Sequence, residues 1–130
     1  MENKLKIQDS IDYIEKNLCD VIKIAEIAKQ SHYSEFHFNR LFQTAMGTSV
    51  MSYVRERRLS EAAIDLIETN EKITDIALKY QFSSEESFSR AFKNKYGASP
   101  RYYRNTQREI SCCVKVDRKI LNGSILCKVA

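Results

Sequence analysis

The chain has 130 residues, 43% apolar and 29% charged, with a formal net charge of +4. That is the length and balance of one globular domain rather than of a disordered chain. Three Gly and one Pro are too few turn formers for a many-stranded β fold.

No apolar run approaches the roughly 18 residues of a spanning helix, so no membrane association is expected. The opening Met-Glu-Asn-Lys-Leu-Lys lacks the apolar stretch of a signal peptide, and the expected location is the cytoplasm. The four cysteines, Cys19, Cys112, Cys113 and Cys127, form no CxxC pair. They are expected to be reduced and mostly buried, with no metal and no cofactor. A zinc site completed by His32 or His37, or a thiol sensor, is the rival, and it lacks the usual ligand spacing.

Ile7, Ile11, Ile14 and Leu18 predict a first helix. A short helix carries Ile24, Ile27 and Ala28. Ser34 offers an N-cap to the next, whose apolar face is Phe38, Leu41, Phe42 and Ala45 and which Gly47 stops. Ser49 opens a long amphipathic helix from about Val50 to Glu68, with Tyr53, Val54, Ala62, Ile64, Leu66 and Ile67 as its apolar content. Ile73, Ile76 and Ala77 mark another short helix. Ser83 or Ser84 then caps a helix carrying Phe88, Ala91 and Phe92, stopped by Gly97. Pro100 suits the first turn of a short helix through Tyr103. The expectation is an all-α domain, residues 1–107, of about seven helices.

From residue 108 the pattern changes. Ile110, Cys112, Val114 and Val116 alternate, Asn122-Gly123 favours a hairpin turn, and Ile125, Cys127 and Val129 alternate again. Residues 108–130 are expected to be a β-like tail. It is mobile, docked on the helices, or the opening strands of a truncated second domain, and the last is favoured.

A repeat organises the helices. Ile24-Ala25-Glu26-Ile27-Ala28 returns as Ile73-Thr74-Asp75-Ile76-Ala77, 49 positions on, and Ser34 returns as Ser83. The offset then becomes 50, pairing Phe38 with Phe88, Arg40 with Arg90, Phe42 with Phe92, Gly47 with Gly97, Ser49 with Ser99 and Tyr53 with Tyr103. The extra residue is expected near Ser83-Ser84.

Each copy reads as a helix-turn-helix, whose second helix can enter a DNA major groove. The second helices keep an outer face that apolar burial does not claim: Phe36, Asn39, Arg40 and Gln43 in the first, Glu86, Ser89, Arg90 and Lys93 in the second. Arg suits guanine, Asn or Gln adenine, Ser either, and an aromatic ring a thymine methyl. The linker helix of about 19 residues spans about 28 Å at 1.5 Å per residue. Successive major grooves lie about 34 Å apart, so one chain could fill two of them without a palindromic site. Phosphate contacts are expected from Arg55, Arg57, Arg58, Lys72, Lys93 and Lys95, and from Ser34 and Ser84 at the helix starts.

Residues from about Ile7 to Gln107 resemble the DNA-binding domain of the AraC/XylS transcription regulators, with the layout of the MarA, SoxS and Rob group. The resemblance rests on Ile73-Thr74-Asp75-Ile76-Ala77, on Tyr80-Gln81-Phe82-Ser83-Ser84, and on the run from Phe88-Ser89-Arg90-Ala91-Phe92-Lys93 through Tyr96-Gly97-Ala98-Ser99-Pro100 to Tyr103-Arg104. It implies a transcription regulator, an activator, that binds double-stranded promoter DNA as a monomeric unit and contacts RNA polymerase. It implies base reading by Phe36, Asn39 and Arg40 and by Glu85, Glu86, Ser87, Ser89 and Arg90. Phe36 stands where that group has Trp, and Glu85 and Glu86 where it has glutamines. A carboxylate can accept from cytosine N4 but opposes nearby phosphates, and both acids equally suit a first helical turn.

No catalytic constellation is present, so no enzyme activity is expected. The rival function is a helical protein-interaction module that does not read DNA. Residues 1–107 hold 16 Lys and Arg against 15 Asp and Glu. A DNA-facing side therefore requires charge segregation, with Asp9, Asp12, Glu15 and Asp65 turned away from it.

Overall fold

The computed structural model describes residues 2–121, with side chains over 6–110. Seven helices follow one another: α1 (Glu2–Lys16), α2 (Ile24–Gln30), α3 (Glu35–Met46), α4 (Val50–Glu68), α5 (Ile73–Lys79), α6 (Glu85–Tyr96) and α7 (Pro100–Leu121). The all-α expectation is met, and no strand occurs among the described residues.

The local chemistry repeats. Ser34 and Ser84 cap α3 and α6, accepting from the backbone N–H of His37 at 3.2 Å and Ser87 at 3.0 Å. Ser49 and Ser99 do the same for Ser52 and Tyr102, each at 3.2 Å. Gly47 and Gly97 end α3 and α6 with φ of 77°, where a residue without Cβ is unstrained. His32 and Gln81, 49 positions apart, share the left-handed region at φ 60° and 66° and turn the chain between the paired helices. The turns therefore keep the offset of 49 and the caps take 50. Ser34 corresponds to Ser84, and the inserted residue is Ser83, in the turn.

Two cores form along one rod. Ile7, Ile14, Leu18, Ile22, Ile27, Ala28, Phe38 and Phe42 pack on Val50 and Val54 of the first half of α4. Leu59, Ala62, Ala63 and Leu66 of its second half pack with Ile76, Ala77, Tyr80, Phe88, Ala91 and Phe92. Helix α4 thus closes the first unit as α7 closes the second, and opens the second as α1 opens the first. The aromatic anchors match: Phe42 meets Tyr53 edge-on with ring centroids 5.6 Å apart, and Phe92 meets Tyr103 at 5.1 Å. Phe38, Phe42, Phe88 and Phe92 are wholly buried, and each contributes about 1.5–3 kcal/mol by leaving water.

Several sequence expectations are corrected. Helix α7 is long, not a short turn through Tyr103, and it runs through residue 108 and the alternating segment Ile110–Val116 without a break. In that segment Ile110, Cys113 and Val114 also stand at i, i+3 and i+4, a spacing that suits a helix as well as the period-two reading suits a strand. The Asn122-Gly123 turn and the alternation at Ile125, Cys127 and Val129 lie outside the described residues. Ala45 and Ile64 face solvent, while Leu59 and Ala63 take the core places. Cys19, expected among buried thiols, is exposed.

Candidate nucleic-acid interface

Helix α3 offers a contiguous exposed edge. Phe36 is 73% exposed, and the Arg40 guanidinium lies over its ring, 5.8 Å from the centroid. Gln43 is exposed one turn on. Asn39 is different. It is half-buried, and its side-chain oxygen accepts from the backbone N–H of Val50 at 3.3 Å, fastening the start of α4 to α3. The expectation of a free outer-face amide is corrected, because half of that amide serves the fold.

On α6, Glu86 and Arg90 form an exposed ion pair at 3.2 Å at the positions that Phe36 and Arg40 occupy on α3. Glu85 accepts from the Thr74 hydroxyl at 2.5 Å, joining the first turns of α5 and α6. Ser87 and Ser89 are half-buried, and Lys93 is exposed.

The basic residues separate into groups. Arg55 is exposed beside a cleft between the two units, lined also by Met51, Gln81, Phe82 and Ser87. Lys72 and Lys93 are exposed, and Ser34 and Ser84 keep their hydroxyl hydrogens free while capping. Arg57 is held by Glu15 at 2.6 Å and Glu61 at 2.8 Å, which raise its already high pKa further against the effect of burial. Lys95 bridges to Glu56 at 2.9 Å and to Ser60 at 2.9 Å on α4.

Arg58 is 8% exposed and donates to the carbonyls of Leu18 at 2.8 Å and Asp20 at 2.7 Å. Its expected phosphate role is corrected. Its guanidinium is committed to two backbone carbonyls at the wall of the cleft that Arg55 flanks, and burial lowers its pKa. Arg57 and Lys95 are likewise engaged within the fold. Sequence reasoning missed the counterpart in the second unit. Arg104 donates to the carbonyls of Leu66 and Glu71, each at 2.7 Å, and Arg108 to those of Ile67 and Thr69. Arg108 lies 50 positions after Arg58, a signal the repeat offered. In both units an arginine from the closing helix satisfies carbonyls at or just beyond the C-terminal end of the opening one.

A family profile described as a helix-turn-helix domain matches residues 27–106. The chain is 42% identical to the HTH-type transcriptional activator AarP of Providencia stuartii over 98 residues, 75% of this chain and 73% of AarP. It is 34% identical to the multiple antibiotic resistance protein MarA of Escherichia coli over 105 residues, covering 81% of this chain and 83% of MarA. The chain belongs to the AraC/XylS family. An AraC-type DNA-binding regulator from Chromobacterium violaceum has the same fold, with a TM-score of 0.75 at 30% identity over 81% of this chain and 93% of its own. The HTH-type regulator YbfP of Bacillus subtilis is 44% identical over 105 residues, 81% of this chain, but the match spans only 36% of YbfP. What aligns with these relatives is a helix-turn-helix DNA-binding domain of a transcription regulator. Among the described residues, no helix is long and apolar enough to cross a membrane.

Proposed function

We propose that this chain binds double-stranded promoter DNA in the cytoplasm and activates transcription, with α3 and α6 entering two adjacent major grooves. The observation that carries this reading is a duplicated one. Arg40 and Arg90 stand exposed at the same place on two 12-residue helices, each held by the same serine cap and glycine stop and joined through the 19 residues of α4. A packing module has no need of an arginine at both places.

Phe36, Arg40 and Gln43 read bases in one groove, with the remaining donors of Asn39. Arg90, Glu86, Glu85, Ser87 and Ser89 read the other. Phe36 contributes apolar contact, suited to a thymine methyl, and Arg90 suits guanine once it leaves Glu86 for DNA. Arg55, Lys72, Lys93, Ser34 and Ser84 contact phosphates. The activating sense follows from likeness to the activator AarP, contact with RNA polymerase is the route by which a promoter-bound activator of this kind would act, and one chain suffices for one asymmetric site. Arg40→Ala and Arg90→Ala should each weaken specific binding by about 1–3 kcal/mol and relax base preference in one half of the site. Footprints of both variants on the selected DNA check this, and wild-type footprints from both would refute the assignment.

A further inference from the structure

Beside the first turn of α6 the surface opens into a cleft of about 490 Å³, lined by Asn70, Lys72, Thr74, Glu85, Arg101 and Asn105, with Arg104 among its walls. Arg104 is already committed to backbone carbonyls. Asn70, Lys72, Arg101 and Asn105 are exposed and make no hydrogen bond or ion pair among the described residues. Three cations stand against one carboxylate, and that carboxylate, Glu85, is bonded to the Thr74 hydroxyl at 2.5 Å.

The repeat supplies an internal control for what the fold itself requires. Caps, stops and core phenylalanines occur in both copies. The cleft does not. Asn70, Thr74 and Arg101 correspond to Val21, Ala25 and Met51 in the first unit, all apolar. The first unit folds without these polar groups, so their presence in the second is not explained by packing.

The cleft also sits in a defined place, because Glu85 is the first residue of α6. When a recognition helix lies in a major groove, its N-terminal end is at the base edges and the start of the preceding helix abuts the flanking backbone. We propose that this cleft seats a backbone phosphate of the strand that flanks the groove entered by α6. Arg101 and Lys72 are its charge partners, and the amides of Asn70 and Asn105 are further donors. Arg101 thereby supplies a contact that Met51 cannot make in the first unit, offsetting the repulsion that Glu85 and Glu86 bring to the same helix.

This inference rests on the DNA-binding reading, and the experiment separates the two. The full chain and its Arg101→Gln, Lys72→Gln and doubly substituted variants are titrated on one selected DNA and on a mismatched DNA between 50 and 200 mM salt. Each lost phosphate contact should lower the slope of log affinity against log salt by about 0.9, with a loss of about 3–10-fold at 100 mM salt that is the same on both DNAs. Ethylation interference at a phosphate flanking the α6 half-site should disappear in the double variant. If the wild type selects no DNA, the DNA-binding function itself fails. If the wild type binds and Arg40→Ala weakens it, while the double variant keeps the wild-type slope and interference pattern, the cleft assignment is overturned together with the phosphate contact of Lys72, and groove reading by α3 and α6 stands. Inorganic phosphate at about 10 mM should leave the Tm of the wild type unchanged. A rise abolished by the double variant, together with an unchanged slope, would assign the cleft to a free anion instead and equally overturn the proposal.

Discussion

Arg55, Arg57 and Arg58 stand within four positions of one another on α4 and do three different things. Arg55 faces solvent beside the inter-unit cleft, Arg57 is clamped by two glutamates, and Arg58 is buried on two carbonyls. Composition and spacing gave all three the same expected role, because which side of a helix meets a neighbouring chain end depends on where α1 stops. Arg58→Ala should destabilise the domain by about 2–4 kcal/mol, since two buried carbonyls lose their donor. Chemical denaturation measures it, and the salt slope of DNA binding by the folded variant should not change. Tyr80 gives a second test at this scale. Its hydroxyl donates to Asp65 at 2.7 Å, and burial first, then Asp65, raises the phenol above its ordinary value of 10.0. The native state favours the neutral phenol, so its contribution is complete below that value and is lost as pH climbs past it. Stability should fall as pH rises above about 10, and Tyr80→Phe should flatten that fall while costing about 1 kcal/mol near neutrality. Denaturant midpoints across pH check both.

The elements were largely legible. Serine caps, glycine stops and apolar spacings of three and four are local signals, and they located the helices and the repeat. What escaped was decided by contact between distant elements. Ala45 and Ile64 fit the helical period yet face water, and Asn39 looked like a free outer-face residue but anchors Val50. The segment Ile110–Val116 satisfies two periods at once, and continuation of α7 from Pro100 settles it as helix. Gly47 and Gly97 test the local argument directly. A Cβ there meets no atom within 4 Å, so substitution is limited by the left-handed backbone alone. Gly47→Ala and Gly97→Ala should each lower stability by about 1–2 kcal/mol, read from thermal unfolding, with equal penalties in the two units.

At the scale of the molecule, net charge was a poor guide to function. Residues 1–107 are almost neutral, and several acids that would oppose DNA are neutralised inside the fold. Glu15 takes up Arg57, and Asp65 takes up Lys79 at 2.8 Å. The organising feature is α4, one uninterrupted helix shared by two cores, so the recognition helices are held at a fixed separation rather than on a flexible tether. Gln81 of the second unit, donating to the Cys19 carbonyl of the first at 2.7 Å, restrains the same geometry. The most direct test is selection of bound duplexes from a random library by the full chain, followed by insertion of about 5 bp between the recovered half-sites. The expected result is an asymmetric pair of unlike motifs spaced by about one helical turn, 10–10.5 bp, with binding lost on the insertion. Recovery of a palindrome, of a single motif indifferent to the insertion, or of no motif would contradict two grooves being read by one rigid chain.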